Sequence, residues 1–244
     1  MPDVSFTELP GRRVVVRRFG PQDVAEFVAY RSDAEVARYQ SWDAPYPPEQ
    51  GERFVAQLMT AHPDTPGEWF QFAVALRATG QLIGDCAAMV RADEPSQCEI
   101  GFTIAPRYQG CGYATEAARL LVGYLFARGK HRITACCDAR NAASAAVLER
   151  LAMRREGHLR QSTWAKGEWT DDLLYALLRD EWQAGREYLP GSPGGASGGV
   201  IRMPLSQALG YKPFHMCLCR LGMPLMAGCG LCDVQLFALM RPRG

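Results

Sequence analysis

The stretch "RYQGCGYATEAARLL", residues 107–121, decides how this chain folds, because its two glycines, Gly110 and Gly112, directly precede a strongly helical run. Glycine weakens regular structure by about 0.5–1 kcal/mol relative to alanine, so the pair needs a geometric or functional reason. At a helix start the backbone N–H groups lack internal partners, and the helix dipole adds positive character. A glycine-containing turn before such a helix therefore predicts a cradle for a phosphate group.

The spacing of the glycines narrows the kind of phosphate carrier. A dinucleotide fingerprint requires a third glycine three residues after the second, where this chain has Thr115. A nucleoside triphosphate loop requires Gly-Lys-Ser/Thr, which is absent. From the loop alone, the alternative that the two glycines form only a tight strand-to-helix turn stays open.

Hydrophobic periodicity around the loop predicts the fold class. The predicted strands are 14–19, two within 69–90 joined by a turn at Thr79-Gly80, 98–106, 131–137 and about 172–178. The predicted helices are one or two within 21–39, then 49–59, 113–127 and 142–151. Antiparallel strands followed by strand, helix, strand, helix and strand indicate an α/β (or α+β) fold, with a mixed sheet and helices on both faces.

A sharp change of composition beyond Trp182 sets the domain organisation. We expect one domain over residues 1–186, a Gly/Ser/Pro linker over 187–199 and a C-terminal extension over 200–244. The extension carries Cys217-x-Cys219 and Cys229-x-x-Cys232 with His215 nearby, which admits a zinc site. Because the spacing fits loosely and the sequence around it predicts no supporting fold, we interpret it as a poorly ordered or weakly docked extension without metal.

Charge and composition limit the kinds of partner and the cellular compartment expected for this protein. A net charge of +1 on 244 residues gives no electrostatic reason to expect nucleic acid or a membrane surface. The longest uncharged apolar run in the tail, residues 221–232, falls short of the roughly 18 residues that span a bilayer. Nine irregularly spaced cysteines without a secretory leader indicate reduced thiols and a cytoplasmic protein, which we expect to be a monomer or homodimer.

The loop resembles that of a known family. Arg107-x-x-Gly110-x-Gly112 matches the Arg/Gln-x-x-Gly-x-Gly/Ala acyl-CoA loop of the GNAT superfamily of N-acetyltransferases. The flanking segments "EIGFTIAPRYQGCGYATEAARLLVGYLF" and "HRITACCDARNAASAAVLERLAMRREG" are similar to the RimJ/RimL branch, which acetylates protein N-terminal amines and other primary amines. The resemblance covers roughly residues 12–182 and is strongest over 97–157.

The resemblance implies a GNAT fold, with a mostly antiparallel sheet that is splayed at the acyl-CoA site. It implies acetyl-CoA as co-substrate, with its pyrophosphate on the amides of residues 109–114 and its pantetheine arm paired along residues 102–104 as an added strand. The residues expected to bind it are Phe102, Thr103, Ile104, Arg107, Gln109, Gly110, Cys111, Gly112, Tyr113, Ala114, Asn141 and Ser144.

The helix after the second segment is predicted to serve both structure and chemistry. Asn141 is a good N-cap, and in the family the same asparagine contacts pantetheine. Ser144 shares a helical face with Leu148 and Leu151, a face that should be buried, so its hydroxyl either bonds back to its own helix or takes part in the reaction. Leu148 stands where many family members carry the tyrosine that protonates the CoA thiolate. In RimL-like members a serine near this place has been assigned that role, so the resemblance implies Ser144 as the candidate acid.

An amine acceptor must lose a proton before it attacks, because a lysine side chain and an α-amine are both largely protonated near pH 7. Glu99 lies near the start of the strand that would meet the acyl-CoA, and we predict that it is the base, directly or through water. The alternative is a solvated charge at a strand edge. A backbone N–H at Phe102 or Thr103 is expected to stabilise the developing oxyanion, and no metal is required.

Two functions remain open at this point. The first is an N-acetyltransferase whose acceptor is a small-molecule amine or a protein N-terminus. The second is a non-catalytic acyl-CoA-binding or interaction module that has lost its acid. The acceptor site is expected between the helices of residues 21–59 and the segment 157–170, with Trp42, Tyr46, Trp164 and Trp169 as candidate lining.

Overall fold

A computed structural model describes Phe6 and residues 8–187 of the chain. The extension 200–244, its cysteine pairs and the predicted linker beyond residue 187 lie outside the described residues. The described part of the chain has eight strands, which are β1 (Glu8–Pro10), β2 (Val14–Arg17), β3 (Trp69–Leu76), β4 (Leu82–Val90), β5 (Gln97–Ile104), β6 (Arg132–Asp138), β7 (Arg154–Ala165) and β8 (Glu168–Leu178). The helices are α1 (Val24–Arg31), α2 (Ala34–Ala37), α3 (Pro48–Thr60), α4 (Tyr113–Ala127), α5 (Ala142–Arg150) and α6 (Arg179–Glu187), with short 3-10 helices at Pro21–Asp23 and Pro106–Tyr108.

All eight strands belong to one sheet in the order β1-β2-β3-β4-β5-β6-β8-β7. Every neighbouring pair is antiparallel except β5 and β6, which run parallel. A mixed and mostly antiparallel sheet confirms the predicted fold class.

Helices pack on both faces of this sheet. On β3, Phe72 and Val74 belong to the hydrophobic cluster built around α4, whereas Ala73 between them belongs to a second cluster built around α1 and α3. Because successive side chains of a strand point to opposite faces, the two clusters lie on opposite sides of the sheet. The prediction of helices on both faces is confirmed.

The sheet splays in its middle. β5 and β6 pair through only three residues each, ending at Glu99 and Thr134. Beyond that point β5 remains paired with β4 as far as Ile104, and β6 remains paired with β8 as far as Asp138. The two halves of the sheet therefore separate and leave a wedge between the ends of β5 and β6, as the sequence resemblance implied.

The edge of the sheet differs from the prediction. Residues 154–165 form the strand β7, which the sequence analysis missed, and the last strand begins at Glu168 rather than near residue 172. Most residues of β7 are exposed, and its register with β8 shifts twice, at Arg155/Gly157 and at Leu159/Thr163. An exposed edge strand with bulges has no regular alternation of polar and apolar residues, so its sequence carries little strand signal.

Other features bear on the sequence predictions. α6 was also missed, because it is strongly charged, and it packs Trp182 against Phe126 of α4 with the ring centroids 6.1 Å apart.

In residues 8–187, no helix combines the length and apolar character needed to cross a membrane. The cysteines of the described part, Cys86, Cys98, Cys111, Cys136 and Cys137, are free thiols.

Candidate active site

A cavity of 770 Å³ lies where the sheet splays. Its volume falls in the range of small-molecule sites. Its walls come from β5 at residues 99–102, β6 at residues 134–138, α5 at Asn141, Ser144 and Leu148, the β7–β8 hairpin, and the segment 34–44. Of the predicted site residues, the structure therefore brings Glu99, Phe102, Asn141 and Ser144 together around one cavity.

Glu99 lies at the apex of the wedge, in register with Met89 on β4 and Thr134 on β6. Its side chain is half-buried between these strands. Desolvation raises the pKa of Glu99 from 4.5 to about 8, although the positive charge of Arg91 opposes the shift. A carboxyl group with such a pKa can take up and release a proton near neutral pH, so a solvated strand-edge charge does not describe it.

Asn141 is the N-cap of α5. Its Oδ1 accepts a hydrogen bond of 3.0 Å from the backbone N–H of Ser144. The capping role predicted from the sequence is confirmed. Because a side-chain amide also carries two donor hydrogens, and its nitrogen donates to no group within residues 8–187, the same side chain can cap the helix and contact a ligand in the cavity.

Ser144 lies one turn further along α5. Helical periodicity predicts that it shares one face with Leu148 and Leu151, and both leucines are buried. Ser144 itself is half-buried and lines the cavity. Within the described residues its hydroxyl makes no hydrogen bond, so the alternative of a bond back to its own helix does not hold, and the hydroxyl is available to a ligand.

The glycine loop connects β5 to α4 through the 3-10 helix Pro106–Tyr108. Gly110 and Gly112 have φ angles of 72° and 80°, a left-handed conformation that favours glycine, so the pair has a geometric reason. In the described part of the chain, the N–H groups of residues 110–115 donate to no backbone carbonyl. The loop is thus a tight turn whose N–H groups are not used by the described backbone.

The other predicted loop residues do not line the large cavity. Gln109 is exposed, and its Nε2 donates to the carbonyl of Ile104 at 2.8 Å, which fixes the end of β5. Arg107 is exposed and stacks over the ring of Tyr108 at 4.9 Å. Thr103 is buried opposite Asp85 in the β4–β5 register. The remaining loop residues, Cys111, Tyr113 and Ala114, lie at the start of α4 with the glycines.

An arginine that the sequence analysis did not select holds this loop. Arg13, at the entry to β2, donates from Nη1 to the carbonyl of Cys111 at 2.9 Å and from Nε to Glu116 Oε2 at 2.8 Å. Its guanidinium lies 4.7 Å from the centre of the Tyr113 ring. No short-range pattern could reveal it, since 98 residues separate Arg13 from Cys111.

The predicted aromatic lining of the acceptor site is wrong. Trp42 and Tyr46 are buried around the guanidinium of Arg31, at 4.0 Å and 5.4 Å from the ring centres, and do not reach the cavity. Trp164 and Trp169 are 59% and 57% exposed and pack edge to face on each other. The hairpin does contribute to the cavity, as expected of this segment, through neighbours that include Thr163, Ala165, Glu168 and Thr170.

The hairpin tip is tied to the opposite wall. Lys166 Nζ donates to the carbonyl of Trp42 and to Asp43 Oδ1, each at 2.9 Å. Nearby, Arg140 binds Asp138 and reaches Glu168 at 2.7 Å. These contacts join the β7–β8 hairpin to the segment after α2 and to the start of α5, all of which line the cavity.

Two cysteines of β6 also line the cavity. Burial, reinforced by the charge of Asp172, raises the pKa of Cys137 to about 12 and moves the pKa of Cys136 in the same direction. Both thiols are therefore protonated at neutral pH. Since the thiolate is the nucleophilic form, neither cysteine is suited to carry a covalent acyl group.

Comparisons with known proteins agree with this geometry. The family described as acetyltransferase (GNAT) domain matches residues 13–154. The chain is 32% identical over 172 residues to the uncharacterized N-acetyltransferase YnaD of Bacillus subtilis, covering 70% of this chain and 96% of that protein. It is 32% identical over 90 residues to the ribosomal protein uS5-alanine N-acetyltransferase of Escherichia coli, covering 36% of this chain and 46% of that protein.

A solved structure extends the match to three dimensions. The crystal structure of a GNAT-family acetyltransferase from Bacillus anthracis is 31% identical, with a TM-score of 0.65, over 72% of this chain and 100% of that one. The resemblance to the RimJ/RimL branch is confirmed by the ribosomal-protein acetyltransferase among the relatives. The chain belongs to the GNAT family of acetyltransferases and is an enzyme with N-acetyltransferase activity.

Proposed function

We propose that this enzyme transfers the acetyl group of acetyl-CoA to a primary amine by direct attack in a ternary complex. The observation that carries the proposal is the splay of the sheet, which leaves β5 beyond Glu99 without a partner on its β6 side among the described residues. An extended ligand can hydrogen-bond to such a backbone as an added strand would. The pantetheine arm is an extended chain with amide groups and suits this position.

The glycine loop suits the pyrophosphate at the other end of acetyl-CoA. The N–H groups of residues 110–115 have no backbone acceptor within the described residues, and they lie at the N-terminus of a helix of 15 residues. Such a terminus favours an anion through its free donors and its dipole. The space beside Gly110 is open, since a Cβ at that position would meet no atom of the described residues within 4 Å.

Acetyl-CoA, when bound, supplies the acetyl group as an activated thioester. Glu99 would take the proton of the acceptor amine at the apex of the wedge. Of the two expected backbone donors, Phe102 and Thr103, only one N–H can point into the wedge, because successive N–H groups of a strand point to opposite sides. The Ser144 hydroxyl, which faces the cavity, would donate a proton to the departing sulfur.

The proton-transfer requirement favours one class of acceptor. The Glu99 pKa of about 8 matches an α-amine, whose pKa is about 7.7–8, better than a lysine side chain at about 10.4. We therefore propose a protein N-terminus or a small-molecule amine of comparable pKa. The named substrate of the Escherichia coli relative, an alanine of ribosomal protein uS5, belongs to the first kind.

Acetyl transfer to a panel of amines tests the proposal. Peptides with a free N-terminus, the same peptides with a blocked N-terminus and an internal lysine, polyamines, aminoglycosides and amino acids would be incubated with acetyl-CoA and analysed by mass spectrometry. We expect acetylation of free α-amines and intersecting double-reciprocal plots for the two substrates. Parallel plots would indicate an acyl-enzyme and overturn direct transfer. Binding of acetyl-CoA without transfer to any amine of the panel would overturn the proposed class of acceptor.

A further inference from the structure

We propose that Arg13 is a positioning residue for the donor site, which orients the glycine loop so that its N–H groups face the pyrophosphate of acetyl-CoA. The inference rests on the proposed use of acetyl-CoA and adds a residue from β2 to the site. Arg13 is 38% exposed and lies beneath the loop rather than in the large cavity.

Three contacts fix Arg13 against the loop and the first turn of α4. The Nε atom binds Glu116 Oε2 at 2.8 Å, the Nη1 atom binds the carbonyl of Cys111 at 2.9 Å, and the guanidinium stacks on Tyr113 at 4.7 Å. The backbone N–H of Arg13 also donates to Glu116 Oε1 at 2.7 Å. A planar side chain held at both ends and on one face has little freedom to turn away.

The bond to Cys111 determines the direction of the next N–H. In a planar trans peptide, the carbonyl of one residue and the N–H of the following residue point in opposite directions. Because Arg13 draws the Cys111 carbonyl toward β2, the N–H of Gly112 points away from β2 and out of the loop. Gly112 also lies close to the guanidinium, since a Cβ on it would be 3.3 Å from Arg13 Nη2.

Arg13 also neutralises a negative charge next to the proposed pyrophosphate site. Glu116 lies in the first turn of α4, where its carboxylate would repel a pyrophosphate at the same helix end. Its oxygens are instead occupied by the Arg13 side chain and by the backbone N–H groups of Arg13 and Val14. The ion pair neutralises the carboxylate and keeps it turned toward β2, so the free N–H groups of the loop dominate the local field.

The experiment compares two acetyl donors on the full-length enzyme. Acetyl-CoA carries the pyrophosphate, whereas S-acetylpantetheine has the same thioester and arm without it. For Arg13→Ala we expect the KM for acetyl-CoA to rise about tenfold or more with kcat nearly unchanged, because oriented charge-assisted contacts are lost. The kcat/KM for S-acetylpantetheine should stay within about twofold of wild type.

Three further variants separate positioning from charge and from folding. Arg12→Ala removes the same charge from an exposed neighbour and should leave both donors unaffected. Arg13→Lys keeps a cation for Glu116 but cannot donate from two separate nitrogens, so it should fold as wild type and still show a raised KM for acetyl-CoA. Glu116→Gln in the Arg13→Ala background should recover part of the lost affinity, because it removes the exposed carboxylate.

The outcomes distinguish the two proposals. An equal loss with both donors, or an unchanged KM for acetyl-CoA in Arg13→Ala and Arg13→Lys, overturns the role of Arg13. If wild-type enzyme uses both donors with the same kcat/KM, the pyrophosphate contributes nothing, and the proposed donor site fails together with the inference. If Arg13→Ala does not fold, the Arg13→Lys comparison decides alone.

Discussion

Glu99 on β5 and Thr134 on β6 form the last paired position before the two strands separate. The register therefore places a carboxyl group at the point where the sheet stops being closed and the cavity begins. Pairing with Met89 on the other side holds the backbone of Glu99 in place. The same location explains its chemistry, since strands on both sides remove water from the carboxyl group while its side chain still faces the cavity.

Replacement of Glu99 by glutamine tests its role as the base. The amide has nearly the same shape but cannot accept the proton, so we expect turnover to fall by roughly 10²–10⁴ while acetyl-CoA affinity barely changes. For wild type, kcat/KM should rise with pH through about 8, the pKa of Glu99. The variant should need higher pH, where free amine is abundant. Glu94→Gln, an exposed carboxylate outside the cavity, is the control.

The assignment of Glu99 as base is rejected if the glutamine variant keeps wild-type turnover at pH 7 with saturating acceptor. The amine would then lose its proton to water or to another group. Steady-state rates and calorimetric titration with acetyl-CoA provide the two measurements.

The same pKa predicts how stability depends on pH. Glu99 has a folded-state pKa of about 8 against 4.5 when solvated, so between these values the folded protein binds more protons than the unfolded chain. The free energy of unfolding should therefore fall as the pH rises from about 4.5 to 8. Glu99→Gln should lack this contribution and show a flatter curve in urea titrations across the window. Identical slopes for wild type and variant would show that Glu99 ionises normally.

The left-handed glycines permit a matched comparison along α4. Gly112 at its start and Gly129 just beyond its end have φ angles of 80° and 88°. Alanine at either position should cost on the order of 1 kcal/mol of stability, because the left-handed conformation is strained for a residue with a Cβ. Only Gly112→Ala should also weaken acetyl-CoA binding, by about tenfold, since its Cβ would approach Arg13. Equal affinities in the two variants would show that the loop serves only as a turn.

The elements predicted best from the sequence carry their own local signals. α4 begins and ends at the predicted residues, Tyr113 and Ala127, because glycines flank it and a continuous apolar face runs between them. α5 ends one residue before the prediction, and its capping asparagine marks its start. Ser144 could be selected because the family resemblance supplied its role, and Glu99 because it lies near the start of the strand expected to meet the acyl-CoA.

Features that depend on distant segments could not be predicted in this way. β7 has exposed residues and two register shifts, so its partner β8 defines it more than its own composition does. The position of Trp42 depends on Arg31, whose guanidinium packs against several aromatic rings of a buried cluster. Arg13 contacts the glycine loop and Glu116 only because β2 passes beneath α4, 103 residues away in the chain.

Variants of Asn141 separate the cap from ligand binding. Asn141→Ala removes the acceptor for Ser144 N–H and should cost about 1 kcal/mol of stability. Asn141→Ser retains a side-chain oxygen suited to capping but has no amide group, so it should recover the stability. If the asparagine also contacts pantetheine, the serine variant should still bind acetyl-CoA more weakly than wild type. Wild-type affinity in the serine variant would leave Asn141 with a structural role alone.

Truncation from the C-terminus tests the predicted domain boundary after residue 186. In the structure this boundary falls at the end of α6. This helix is joined to the sheet, since Arg179 Nε donates to the carbonyl of Lys130 at 2.8 Å and Leu178 N–H donates to Glu181 Oε2 at 3.0 Å. Its Trp182 covers Phe126 of α4. Every member of the two hydrophobic clusters in the described part precedes residue 183.

We therefore expect a chain ending at Tyr188 to keep the melting temperature and acetyl-CoA affinity of the full-length protein. A chain ending at Leu178 should melt several degrees lower, because loss of a buried aromatic contact costs about 3–5 kcal/mol in a core and less at this half-buried position. Differential scanning calorimetry on the three chains makes the comparison. A lowered melting temperature in the chain ending at Tyr188 would show that residues 189–244 complete the domain, and a full-length protein destabilised by a chelator would point to the zinc site in its cysteine pairs.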